Sequence, residues 1–98
     1  MRLSNARVVL TGASGGIGVA IATALCASGA QVLAVARHRV PLEGLLERSP
    51  QQLCWIGADL TVLADRRKVL AAAEAIGGVN LLINAAGINH FAMLEQLD

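Results

Sequence analysis

The chain has 98 residues, of which 55% are hydrophobic and 15% charged. That balance allows one packed domain at most and excludes a disordered chain. A net charge of +1 excludes a broad nucleic-acid surface, since Arg37-His38-Arg39 and Arg66-Arg67-Lys68 are short and lack interleaved aromatics.

Arg7 to Leu10 is a short β-branched and aliphatic run and reads as a first strand. The glycine-rich stretch Thr11-Gly12-Ala13-Ser14-Gly15-Gly16-Ile17-Gly18 follows it. From Gly16 the period changes to that of a helix, with Ile17, Ile21 and Leu25 on one stripe. Ser28-Gly29 ends this helix, with Gly29 suited to a left-handed position. Gln31 to Ala36 is almost continuously apolar, as expected of a strand covered on both faces of a parallel sheet.

Pro41 belongs in the first turn of a short helix reaching about Arg48, and Ser49-Pro50 breaks the chain again. Leu53 to Ile56 reads as a third strand, ending near Gly57-Ala58-Asp59. Thr61 is the expected N-cap of a helix whose stripe includes Val69, Ala73 and Ile76 and which Gly77-Gly78 closes. Val79 to Asn84 is the fourth expected strand, Asn84 to Gly87 the loop beyond it, and Phe91 to Asp98 the start of another helix.

The alternation implies an α/β fold: a Rossmann-like, doubly wound parallel sheet, truncated after the fourth strand, forming a single incomplete domain over 1–98. Such sheets bind ligands beyond the carboxyl ends of their strands. The glycine loop, Ala36-Arg37, Asp59-Leu60 and Asn84-to-Gly87 all belong to that edge.

No charge occurs from Val8 to Ala36, long enough for a bilayer span. The glycines and serines within it divide it into strand, loop, helix and strand, so no membrane segment is expected. Cys26 and Cys54 sit in apolar surroundings and read as small buried residues of a reducing, cytoplasmic compartment. They form neither a disulfide framework nor a zinc site. His38 reads as an exposed loop residue and His90 as a surface one, and Trp55 as core.

Four glycines at positions 12, 15, 16 and 18 exceed what an ordinary strand-to-helix turn needs. Gly12 permits the turn, while Gly16 and Gly18 allow close approach of backbone to a pyrophosphate and of helix to sheet. Gly-x-Gly-x-x-Gly is not matched from Gly16, because Ile21 occupies the last place, and no lysine supplies a P-loop.

The spacing Thr-Gly-x-x-x-Gly-x-Gly, Asp59-Leu60 after the third strand and Asn84-Ala85-Ala86-Gly87 after the fourth together resemble the short-chain dehydrogenase/reductase family. The resemblance covers the whole chain, with Ala85 departing from the family's Asn-Asn-Ala-Gly. It implies that Gly12, Ser14, Gly15, Gly16, Ile17 and Gly18 line the cofactor pyrophosphate. Asp59 would accept from the adenine amino group beside the Leu60 backbone. Asn84 would brace the central strand, and Ala85, Ala86 and Gly87 would pass near the ribose and nicotinamide. Asp59 also reads as a cap for the next helix, which is compatible.

An acidic residue normally ends the second strand in NAD-binding sheets. Here Ala36 is followed by Arg37, whose guanidinium suits a 2′-phosphate. The expected cofactor is therefore NADP(H) in preference to NAD(H), although Arg37 also reads as a plain solvated charge.

The resemblance implies hydride transfer between a nicotinamide and a small-molecule carbonyl or alcohol. In that family a Tyr-x-x-x-Lys pair handles the proton. The chain has no tyrosine, and Lys68 is its only lysine. No catalytic residue and no metal ligand is assigned. The chain alone is expected to be inactive, and the complete enzyme to be a homo-oligomer that binds neither nucleic acid nor membrane. A non-catalytic dinucleotide-binding module remains the alternative reading.

Overall fold

A computed structural model of the chain describes residues 2–85. Its strands are β1 (Arg7–Thr11), β2 (Gln31–Ala36), β3 (Leu53–Gly57) and β4 (Leu81–Asn84). The helices are α1 (Gly16–Ala27), α2 (Glu43–Arg48) and α3 (Leu63–Ala75). All strand pairs are parallel, in the order β3-β2-β1-β4. The chain thus steps outward from β1 to β3 and then crosses back to the other side of β1. That reversal makes the gap beyond β1 and β4 the switch point of the sheet.

Right-handed crossovers in opposite directions put helices on opposite faces. On one face, Val8, Leu10, Val32 and Ala34 pack with Ala22, Leu25 and Cys26 of α1 and with Leu42 and Leu45 around α2. On the other, Val9, Leu33 and Val35 pack with Val69 of α3, with Ala72, Ala73 and Ile76 alongside. Strand alternation sorts these residues between the two layers, and the central strands are covered twice.

Several boundaries differ from the sequence expectation. Pro41 lies in a separate 3₁₀ turn, Val40–Leu42, and α2 begins only at Glu43. β4 begins at Leu81, because Gly77 and Gly78 both take positive φ (93° and 90°) and Asn80 is used as a clamp. Its backbone N–H donates to the Arg7 carbonyl at 3.0 Å, and its Oδ1 accepts from the Arg7 N–H at 2.8 Å.

The expected α1 stripe is also shifted. Ile17 is 45% exposed, whereas Gly18, Ala22, Leu25 and Cys26 face the sheet. Only Cys26 of the two cysteines is buried; Cys54 is exposed, on a sheet edge whose α3-side layer ends before it. Trp55 is half-buried and packs against the α1 side of the core. Among the described residues, no helix is long and apolar enough to cross a membrane.

Candidate functional site

The β1–α1 connection is built on two glycines with different constraints. Gly12 has φ +67°, the left-handed region that favours glycine. Gly18 lacks room for any side chain: an added Cβ would lie 2.4 Å from the Gly12 carbonyl oxygen and 2.8 Å from Ala13 Cα. The first turn of α1 is therefore pressed against the turn that feeds it. Gly16, by contrast, has nothing within 4 Å of an added Cβ, and the nearest atom to one on Gly15 is 3.8 Å away. These two positions face open space beside the helix start.

Gly15 is the N-cap of α1 and contributes no side-chain cap. The intrahelical ladder opens with Val19 N–H donating to the Gly15 carbonyl at 2.9 Å. Helix geometry leaves the amides of Gly16, Ile17 and Gly18 ahead of that ladder. First-turn amides with their positive dipole end can accept an anion, and the missing side chains at 15 and 16 leave room for its approach. A dinucleotide's phosphates fit this loop on those grounds.

A cavity of about 450 Å³ opens at the carboxyl ends of the strands. It is lined by Gly12 and Ser14 from the glycine loop, Ala36 and Arg37 from the end of β2, Asp59 and Leu60 after β3, and Asn84 at the end of β4. Four separate chain segments thus meet in one place. Arg37 is exposed at the mouth, while Ala36 is buried in the α1-side layer. Gly15, Gly16, Ile17 and Gly18 are not among the lining residues, and Ala85 belongs to the α1-side core. Ala86, Gly87 and His90 lie outside the described residues.

Thr11 and Asn84 are register partners across β1 and β4, and Thr11 Oγ1 donates to Asn84 Oδ1 at 3.0 Å. Asp59 is fixed by its neighbours. Its Oδ1 accepts from the Thr61 hydroxyl at 2.7 Å and from the Thr61 N–H at 2.9 Å. The Thr61 bonds, hydroxyl first, hold the Asp59 carboxyl below the usual carboxylate range; partial desolvation opposes them, and the positive charge of Arg37 adds to them.

Thr61 is consequently not the N-cap expected from the sequence. The N-cap of α3 is Val62, without a side-chain bond, and the Thr61 hydroxyl is spent on Asp59. Sequence reasoning also missed Asp65, whose Oδ2 accepts from the Asp59 N–H at 2.7 Å. An acidic residue in a first helical turn reads as a complement to the helix dipole, which conceals this more specific use. His38 is exposed, and no cluster of metal-ligating side chains occurs among the described residues.

The sequence profile of the short chain dehydrogenase family matches residues 6–98. The chain is 40% identical over 98 residues to glycine betaine reductase ATRR of Emericella nidulans, an overlap covering 96% of this chain and 8% of that protein. It is 41% identical over 91 residues to D-erythrulose reductase of Gallus gallus, covering 91% of this chain and 33% of that one. A solved short-chain dehydrogenase from Streptomyces avermitilis aligns with TM-score 0.72 at 38% identity, over 80% of this chain and 30% of that one. The chain therefore spans a third or less of each of these proteins. With a match that runs from β1 through the fourth strand and beyond, the chain belongs to the short chain dehydrogenase family.

Proposed function

We propose that the chain is the dinucleotide-binding part of an NADP(H)-dependent oxidoreductase that interconverts small-molecule carbonyls and alcohols. In this reading Gly12, Ser14, Gly15, Gly16, Ile17 and Gly18 hold the pyrophosphate, and Arg37 pairs with the 2′-phosphate. Asp59 and Leu60 take the adenine, and Asn84, Ala85, Ala86 and Gly87 run towards the ribose and nicotinamide. When bound, the cofactor supplies or accepts the hydride. The name D-erythrulose reductase, carried by a relative 41% identical, supports carbonyl reduction as the reaction class.

The observation that carries the cofactor preference is Arg37 beside Ala36 at the mouth of the cavity. A carboxylate there would repel a 2′-phosphate, whereas a guanidinium pairs with it through two parallel N–H bonds. Titration of the purified chain with NADPH and with NADH tests the reading. NADPH is expected to bind more tightly; tighter binding of NADH overturns the preference, and binding of neither overturns the nucleotide assignment.

No proton-handling group is assigned within this chain. It lacks tyrosine, and Lys68 Nζ on α3 is engaged with the Gly57 carbonyl. The chain alone is accordingly expected to bind cofactor without reducing ketones. Ketone-dependent NADPH oxidation by the purified chain, with host enzymes excluded, would show otherwise.

A further inference from the structure

β3 ends at Gly57 and α3 begins at Leu63, so the intervening segment has no strand or helix ladder of its own. The Ala58 N–H donates to the Ala36 carbonyl and the Val62 N–H to the Asp59 carbonyl, and side chains of α3 take further backbone groups of this segment and of the end of β3. Asp65 Oδ2 accepts from the Asp59 N–H at 2.7 Å, Arg66 Nη1 donates to the Leu60 carbonyl at 3.0 Å, and Lys68 Nζ donates to the Gly57 carbonyl. These contacts differ in weight. Arg66 and Lys68 are exposed and exchange readily with water, whereas Asp65 is half-buried and its carboxylate makes a short hydrogen bond with a backbone N–H.

Asp59 is held from both sides. Its N–H is bound by Asp65 on α3, and its carboxylate binds Thr61 while lining the cavity with Leu60. A shift of the loop that carried Asp59 away from α3 would break the first bond and move the carboxylate with it. We propose that Asp65 is a positioning residue: through the Asp59 N–H it fixes the β3–α3 loop in the orientation that receives the adenine end of a dinucleotide. This rests on the nucleotide reading of the cavity and adds a determinant outside it.

The test is isothermal titration of the chain with adenosine 2′,5′-bisphosphate, a probe carrying only the adenine half. Asp65→Ala is expected to weaken binding about tenfold, the size of one lost charge-assisted hydrogen bond. Asp65→Asn keeps an acceptor oxygen in place and is expected to recover part of that loss, a neutral acceptor making the weaker bond. Asp65→Glu keeps the charge but moves the acceptor by one methylene, and is expected to bind more weakly than Asp65→Asn. Val69→Ala, a cavity in the buried face of the same helix, lowers the melting temperature but leaves the affinity of the folded protein unchanged. Wild-type affinity in Asp65→Ala overturns the proposal and leaves the nucleotide reading standing. Asp65→Glu matching wild type while Asp65→Asn fails also overturns it, by assigning the effect to charge instead of position. Failure of the wild-type chain to bind both this probe and adenosine 5′-monophosphate overturns the nucleotide reading, and the positioning role with it; binding of the monophosphate alone overturns only the NADP(H) preference.

Discussion

Gly18 packs directly on Gly12: a Cβ at residue 18 would stand 2.4 Å from the Gly12 carbonyl oxygen. Real Cβ atoms do not approach backbone oxygen so closely, so Gly18→Ala must displace either the turn or the helix. Gly16 has open space where its Cβ would be. The two glycines therefore separate structure from binding. Gly18→Ala is expected to destabilise the fold by about 1–3 kcal/mol, the usual cost of overpacking. Gly16→Ala is expected to leave stability unchanged or raise it by up to about 1 kcal/mol, because alanine is the better helix former. If the open side of Gly16 receives a pyrophosphate, the same substitution weakens NADPH binding. Urea denaturation and cofactor titration on both variants give the two readouts. Equal destabilisation by both would contradict the packing, and unaltered NADPH affinity in Gly16→Ala would remove the phosphate from that position.

Arg37 and Asp59 line the same cavity with opposite charges. Arg37→Ala is expected to weaken NADPH binding by about tenfold or more, the size of a lost charge-assisted contact, with NADH affected little. Arg37→Glu is expected to reverse the preference, since a carboxylate repels the 2′-phosphate and can accept from a ribose hydroxyl. Parallel loss for both cofactors would assign Arg37 to the loop itself instead of to the 2′-phosphate.

The strand pattern was legible because β2 is covered on both faces. An apolar run such as Val32 to Ala36 has few other uses in so small a chain. The face of α1 was harder to read. Gly16–Ala27 contains no charged residue, so nothing marks its solvent side. The helix approaches the sheet through its small residues Gly18 and Ala22, which leaves the bulkier Ile17 outside. Val79 looks like strand, yet the paired glycines before it and the Asn80 clamp hold it outside the ladder. Gly12 and Ser14, Ala36 and Arg37, Asp59 and Leu60, and Asn84 meet at one cavity, and their nearness to strand ends was legible because strand ends are easy to locate. The bonds tying Asp59 to Thr61 and Asp65 were not visible, since each joins side chain to loop at a spacing that also suits ordinary capping.

The Asp59–Thr61 pair makes a pH prediction. Asp59's carboxyl is lowered in the folded state, chiefly by the Thr61 hydroxyl and then by the Thr61 N–H. A depressed carboxyl contributes stability that is present above its unfolded pKa and lost as pH falls through the folded value. The contribution of the Asp59–Thr61 pair is therefore full near neutrality and is lost as pH falls from the ordinary carboxylate range through the lowered Asp59 value. Thr61→Val removes the hydroxyl bond but keeps the backbone one, and is expected to raise the Asp59 pKa. Arg37→Ala is expected to raise it less. Carboxyl carbon NMR titrations of the two variants check the order, and a larger shift in Arg37→Ala would reverse the assignment of causes.

Cys26 and Cys54 give an independent probe of fold and ligand together. Cys54 is exposed on β3, whereas Cys26 is buried between α1 and the sheet, and burial pushes its thiol pKa up. A thiol reagent is expected to label Cys54 at once and Cys26 only when α1 opens from the sheet. In Cys54→Ser the labelling rate then reports the opening equilibrium. A ligand that binds only the closed form lowers the open population by the factor 1 + [L]/Kd. NADPH at about one hundred times its Kd should slow Cys26 labelling about a hundredfold, or about 2.7 kcal/mol. NADH at the same concentration should slow it less if the cofactor preference is as proposed. Equal reactivity of the two thiols in the native chain would contradict the packing of α1. Protection by NADH exceeding that by NADPH would contradict the role of Arg37 while leaving the packing intact.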